Sequence, residues 1–271
     1  MKQTSKILFA TAALLALMIT ALVVSCGDTG TSGDVKTKWT VNALLSHDAN
    51  TDSVHAYLAL TRDGAAHSAA LVTLEAPPAD SATPISLGGA GDGTYRVTFS
   101  PRLLHDTTYI KVQSLLDQFP FSYTLNLPES LGIEVVDLPD NRVLASTQQV
   151  QVRWKAPRFA DGYILVVQPA LPSNLAVGFK RILGTSDYTE DPPYLTTLIP
   201  LQAFRNTQSD FQPGAFNVWI AAYADSPINT TQLPFVLPVG FAPNLNRVGV
   251  TGQIGGLFIG KKIVLTAIAP S

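Results

Sequence analysis

From Trp39 onward the chain alternates. Trp39, Val41, Ala43 and Leu45 are separated by polar or small residues, a two-residue period that turns one side of an extended strand toward a core. The same period, or a short apolar run, recurs over 54–60, 71–74, 94–99, 109–113 and 121–125. It returns over 133–136, 150–154, 162–167 and 213–223. Turn formers punctuate it: Arg62-Asp63-Gly64, Pro77-Pro78, Gly91-Asp92-Gly93, Pro120 and Pro157. No long stretch carries a 3.6-residue stripe. Thr108–Phe119 comes nearest, and its Tyr, Ile and Val content favours a strand at its start. Short strands at regular spacing predict an all-β chain of antiparallel sandwiches. The aliphatic, Gly-punctuated tail reads as a hairpin, 248–257 against 259–268, with Lys261 and Lys262 discouraging association at an exposed edge.

The first 38 residues follow another pattern. Lys2 and Lys6 are the only charges before Asp28, and Ile7 to Val24 is an uncharged run rich in Leu, Ala, Ile and Val. That is the physical form of an export signal, and it is near the shortest length that spans a bilayer. Val23-Val24-Ser25-Cys26 then resembles the lipobox of bacterial lipoproteins, and Cys26 is the only cysteine of the chain. The resemblance implies cleavage after a signal peptide of residues 1–25 and a thioether-linked diacylglycerol on Cys26. The partner of this end would be the membrane, through that lipid, and the body would lie in the cell envelope outside the cytoplasmic membrane. Two acyl chains suffice for stable attachment without a retained helix. Residue 27 is Gly rather than the Asp that retains many enteric lipoproteins at the inner membrane, so an outer-membrane destination is allowed. Residues 26–38, rich in Gly, Ser and Thr, read as a flexible tether.

Two fold resemblances follow from the strand pattern. The order of pieces from Arg62 to Val112, with Gly93-Thr94-Tyr95 entering one strand and Tyr109-Ile110-Lys111-Val112 another, is similar to prealbumin-like and carboxypeptidase-regulatory-like sandwiches. The second half resembles a fibronectin type III domain: Trp154 late in one strand, Tyr163 entering the next, and Pro213-Gly214-Ala215-Phe216 opening a late strand that ends at Tyr223. Phe216 stands where that family places a tyrosine whose hydroxyl closes a corner, which keeps the packing and loses the hydrogen bond. The expected organisation is therefore two tandem Ig-like or fibronectin type III-like sandwiches. The first covers 39–127 and the second 128–271, with the tail hairpin included and a non-standard excursion between Pro169 and Leu195.

Composition narrows the function. The chain has 271 residues, 46% hydrophobic and 14% charged, with a net charge of −2, which excludes a disordered polymer and argues against nucleic acid as a partner. Asp48, Asn50 and Asp52 have the alternate spacing of a calcium loop, but Ser53 and Ala59 stand where such a loop carries Gly and Glu, and Asp and Asn are also ordinary turn formers. Gly89, Gly91 and Gly93 precede a strand rather than a helix, which makes them a hairpin turn and not a phosphate cradle. His47, His55, His67 and His105 show no local ligand spacing, and His105-Asp106 alone is not a catalytic pair. No G-x-S-x-G elbow occurs. Trp39, Trp154 and Trp219 sit among apolar neighbours and read as core rather than as a sugar platform. Asn229-Thr230-Thr231 is a glycosylation sequon, which the bacterial source implied by the lipobox resemblance would leave without force. The expectation is a lipid-anchored, non-catalytic binding or structural module of the envelope, with no cofactor and with a glycan or an envelope protein as partner. A surface glycan-binding lipoprotein and an extracytoplasmic hydrolase are the alternatives.

Overall fold

The computed structural model describes residues 37–77, 82–104, 107–114, 119–136, 138–145, 147, 149–191, 193–238 and 240–269. The signal, Cys26, the tether up to residue 36 and His105-Asp106 lie outside these residues. From Thr37 onward the chain forms one compact unit. Its first half supplies β1 (Trp39–Asp48), β2 (Ser53–Arg62), β3 (Ala65–Ala66), β4 (Ala70–Glu75), β5 (Ile85–Ser86), β6 (Gly88–Gly89), β7 (Thr94–Phe99), β8 (Thr108–Ser114) and β9 (Phe119–Leu125). The second half supplies β10 (Ile133–Val136), β11 (Arg142–Leu144), β12 (Gln149–Lys155), β13 (Gly162–Pro169), β14 (Phe179–Leu183), β15 (Thr189–Asp191), β16 (Tyr194–Pro200), β17 (Gly214–Asp225), β18 (Leu245–Arg247), β19 (Val250–Ile259) and β20 (Ile263–Ile268). Among the described residues the only helical pieces are short 3₁₀ turns. The all-β class is as the alternation predicts.

One twelve-stranded sheet runs through the unit, and two four-stranded sheets, β5-β4-β8-β9 and β10-β12-β16-β15, make up the rest. The first small sheet and the β1-β2-β7 part of the large one enclose a core of Val41, Leu45, Leu58, Leu60, Ile110, Val112 and their neighbours. The second small sheet and the β13-β17-β20 part enclose another, built on Trp154, Tyr163, Phe204 and Phe216. Trp154 and Tyr163 meet edge to face at 5.2 Å, and Phe216 is fully buried against Phe204. The excursion between Pro169 and Leu195 carries β14, which extends the large sheet beside β13, and β15, which extends the second small sheet.

The tail departs from expectation. β19 and β20 do not fold back on each other as a hairpin. They run in line along β17: Ala221 to Asp225 pair with Ile259 to Gly255, and Gly214 to Val218 with Ala267 to Ile263. The reason lies at Gly260, whose N–H donates to Ile220 O at 3.0 Å, so the partnership with β17 continues through the break. The Asn50 side chain accepts from Lys262 N and donates to Gly260 O, which holds the jog from the other side. A second departure is the parallel pairing of β1 with β19 over ten residues, from Trp39 opposite Val250 to Asp48 opposite Ile259. β11 likewise lies parallel to β20.

The other face of the large sheet is half covered. Leu44, Ile164, Val166, Trp219, Leu257 and Ile259 meet Phe235 and Leu237 of the segment between β17 and β18. Polar links tie that segment down. Asn244 Oδ1 accepts from Ile254 N at 2.9 Å, its Nδ2 donates to Ile254 O at 2.7 Å, and Gln253 Nε2 donates to Pro227 O at 2.9 Å. Two glycines make room at the crossing. A Cβ at Gly256 would stand 1.9 Å from Asn126 O, and one at Gly255 would stand 2.4 Å from Pro227 N. The chain passes from one small sheet to the other on one side of β19 and enters the cover on the opposite side.

Candidate functional site

The calcium-type spacing folds into a self-satisfied turn. Asp48 Oδ1 accepts from Asn50 N at 2.9 Å and from Asn50 Nδ2 at 2.7 Å. Asn50 Oδ1 is taken by Lys262 N, and Asp52 turns outward to stand 3.7 Å from His47 Nε2. The structure thus joins Asp48 to Asn50 and sends Asp52 elsewhere. No group of three or more His, Cys, Asp or Glu arranged for a metal occurs among the described residues. The Gly89–Gly93 stretch is the β6–β7 hairpin, with positive φ at Gly91 and Gly93 and Ala90 N donating to Thr94 O.

The described histidines are held by hydroxyls, a ring or burial. His55 lies between Ser53 Oγ (3.3 Å) and Thr98 Oγ1 (2.9 Å). His67 pairs with Ser114 Oγ at 3.1 Å and meets Trp39 edge to face. Burial pushes the His47 pKa down against the opposing pull of Asp52 and Asp48. All three tryptophans are buried, at 5% exposure for Trp39, 1% for Trp154 and 0% for Trp219. They form core, and no tryptophan platform faces solvent.

Among the concave features of the described residues, two place tyrosines beside charged groups. One is a polar niche of about 410 Å³ beside β9, lined by Tyr109, Tyr123, Asn126, Asp225 and Arg247. Burial raises the Asp225 carboxyl above its ordinary range, the charge of Asp161 adds to this, and a hydrogen bond from Asn126 opposes it. Arg247 stands 5.8 Å over the Tyr123 ring.

The other is a groove of about 660 Å³ on the outer face of the large sheet. Its floor is Tyr57 of β2 with Arg96 directly across on β7. One rim is Asp92 and Thr94. Asp92 Oδ1 accepts from Thr94 N and Thr94 Oγ1, and these bonds hold its carboxyl below the usual range. The opposite wall is the cover, from Asn229 to Val236. The wall is fixed from beneath: Phe235 is buried against Trp219 at 5.8 Å, and Asn229 Oδ1 accepts from Leu237 N at 2.6 Å. An aromatic floor with a few placed polar groups is a feature of ligand sites, here in a groove that stays open to solvent along the sheet face. Strand periodicity gave no hint of this groove, because Tyr57, Thr94 and Arg96 look like ordinary solvent-facing strand positions. The sequon triplet was the sole signal on its far wall.

No protein-family model matches the chain, and neither does any curated protein. Among solved structures it is similar to the D0-D1 domain of intimin, at 9% identity over 84% of this chain and 97% of that one, with a TM-score of 0.24. It is also similar to the FN1-FN3 domains of chicken CNTN1, at 8% identity over 84% and 62%, with a TM-score of 0.27. A third similarity is to the Yersinia pseudotuberculosis adhesin InvE, at 13% identity over 67% and 55%, with a TM-score of 0.21. With scores this low, the fold class rests on the strand pairing itself.

Proposed function

We propose that the chain is a lipid-anchored, non-catalytic binding or structural module of a bacterial cell envelope. One observation carries the reading: the sole cysteine, Cys26, closes an uncharged run after a basic start, in the sequence Val23-Val24-Ser25-Cys26. A Gly-, Ser- and Thr-rich stretch separates it from β1. The non-catalytic part is supported by the surroundings of His55, whose two ring nitrogens meet the hydroxyls of Ser53 and Thr98, one of them where a triad would place an acid behind the base. The lipid partner is the membrane, and the partner of the body is a glycan or an envelope protein.

Growth with an alkyne-bearing fatty acid tests the anchor. The wild-type chain takes up the label and fractionates with membranes, and Cys26→Ser abolishes both. Equal labelling of the two forms, or none in either, overturns the reading. Glycan capture at the surface is the second reading, favoured by the hydroxyl-, amide- and tyrosine-lined groove beside Tyr57.

A further inference from the structure

We propose that the groove between Tyr57 and the cover segment binds a neutral oligosaccharide. This rests on the binding-module reading and names its ligand class. Three observations converge on it.

The first is charge. The groove holds one carboxylate, Asp92, in the turn before β7, and one guanidinium, Arg96, four residues on and within that strand. Arg96 Nη2 and Asp92 Oδ1 both bond Thr94 Oγ1, which links them through one hydroxyl. The pair cancels, so an anionic or cationic ligand would lack a net counter-charge.

The second is the kind of polar group. Asn229, Thr230 and Thr231 line one side and Thr94 the other. The Asn229 Oδ1 is taken by Leu237 N and the Thr94 hydroxyl by Asp92 and Arg96, so the Asn229 amide nitrogen and the hydroxyls of the cover are the groups that face a ligand. Amides and hydroxyls both donate and accept, which matches a ligand whose own hydroxyls do the same. Tyr57 adds a ring with a phenolic handle, a surface against which a pyranose C–H face packs. Val236, 66% exposed at the wall, gives a further apolar contact beside the buried Phe235.

The third is rigidity. The floor is two paired strands, and the wall is pinned by Phe235, Leu237 and the Asn229–Leu237 bond. A site that is already ordered loses less entropy when it is filled. The groove is open along the sheet face, which suits a chain of sugar units better than a single enclosed one.

The test uses the full chain in detergent micelles, titrated with maltohexaose, cellohexaose, xylohexaose and mannohexaose, and with hexagalacturonate as the charged counterpart. At least one neutral hexasaccharide binds, and hexagalacturonate binds at least tenfold more weakly. Tyr57→Ala weakens the neutral ligand at least tenfold with little change in melting midpoint. Should Tyr57→Ala melt early, Val236→Asp replaces it: that position is exposed, and the change puts a carboxylate where the wall offered an apolar contact. Tighter binding of the uronate overturns the proposal. So does failure of every neutral hexasaccharide, or binding that Tyr57→Ala and Val236→Asp both leave unchanged. Cys26→Ser protein keeps the affinity, so loss of the lipid label and loss of the ligand are separate failures.

Discussion

The two sandwiches share a sheet and depend on it differently. The second core draws its buried residues from 131–267, so nearly everything that encloses Trp154, Phe204 and Phe216 lies in the second half of the chain. The first core does not close on its own half. Leu245, Val250 and Ile254 are buried among Trp39, Val41, Leu58 and Tyr95, and β1 has β2 on one edge and β19 on the other. Nearness along the chain and dependence in the fold are therefore different things. The passage at Leu127–Pro128 marks where the chain changes sandwich, while the sheet itself carries on through β1 and β19.

The largest test of that asymmetry is a cut. Residues 37–127 alone lack β19, leave one edge of β1 open and expose the apolar residues that Val250 and Ile254 covered. This fragment shows no cooperative unfolding by circular dichroism and disperses poorly in an amide NMR spectrum, whereas residues 128–271 keep a cooperative, weakened transition. A folded 37–127 fragment breaks the comparison. The next test strikes the crossing. Gly256→Val places side-chain carbons against the Asn126 carbonyl, which is backbone and has no rotamer to yield. The cost is more than about 4 kcal/mol, in the range of severe overpacking, read as a shift in urea midpoint. The reverse change at an exposed position, Val264→Gly, costs a fraction of that.

The third test separates the covered face of the sheet from the two sandwiches. Phe235 packs on Trp219 from outside both small-sheet cores. If the cover is part of the fold rather than a loop resting on it, Phe235→Ala costs about 3 kcal/mol, as for other large-to-small core changes. A loss below about 1 kcal/mol in the denaturant midpoint would demote the cover to an ornament.

Alternation along the chain reads individual strands well. β7 and β10 fall on Thr94–Phe99 and Ile133–Val136, the residues that the pattern predicts. The period shows which side of a strand is apolar and says nothing about its neighbour in space. That is why β19 and β20 read as a hairpin when each is instead a partner of β17. It is also why the parallel β1–β19 contact, which joins residues about as far apart as the chain allows, left no local trace. Short strands such as β11 are too brief to show a period. Burial of the tryptophans was legible from their apolar neighbours. The groove was not, because it needs Tyr57 and Arg96 from one end of the sheet and Asn229 to Val236 from a loop far along the sequence.

The smallest predicted effect concerns pH and the end of β17, where the two sandwiches adjoin. Asp225 has a left-handed backbone at φ 57°, and its N–H donates to Asp161 Oδ2 at 2.6 Å, which keeps two carboxyls close. Burial and the Asp161 charge raise the Asp225 pKa in the folded chain. A carboxyl raised on folding binds its proton more tightly in the native state than in the unfolded one. Stability from this group is therefore intact below its unfolded pKa and falls as pH rises through the folded value. His47 works in the opposite direction: its pKa is lowered by burial, so its contribution is present above the ordinary imidazole range and is lost as pH falls. Asp225→Asn removes the first slope and leaves the second. Melting midpoints between pH 4 and pH 8 then rise more steeply with pH in the variant than in the wild type. Because Asp225 keeps part of its surface in contact with solvent, which screens the charge, the gain at neutral pH is small. A variant less stable than wild type at neutral pH would show that the Asn126 bond to this carboxylate outweighs its burial and the repulsion from Asp161.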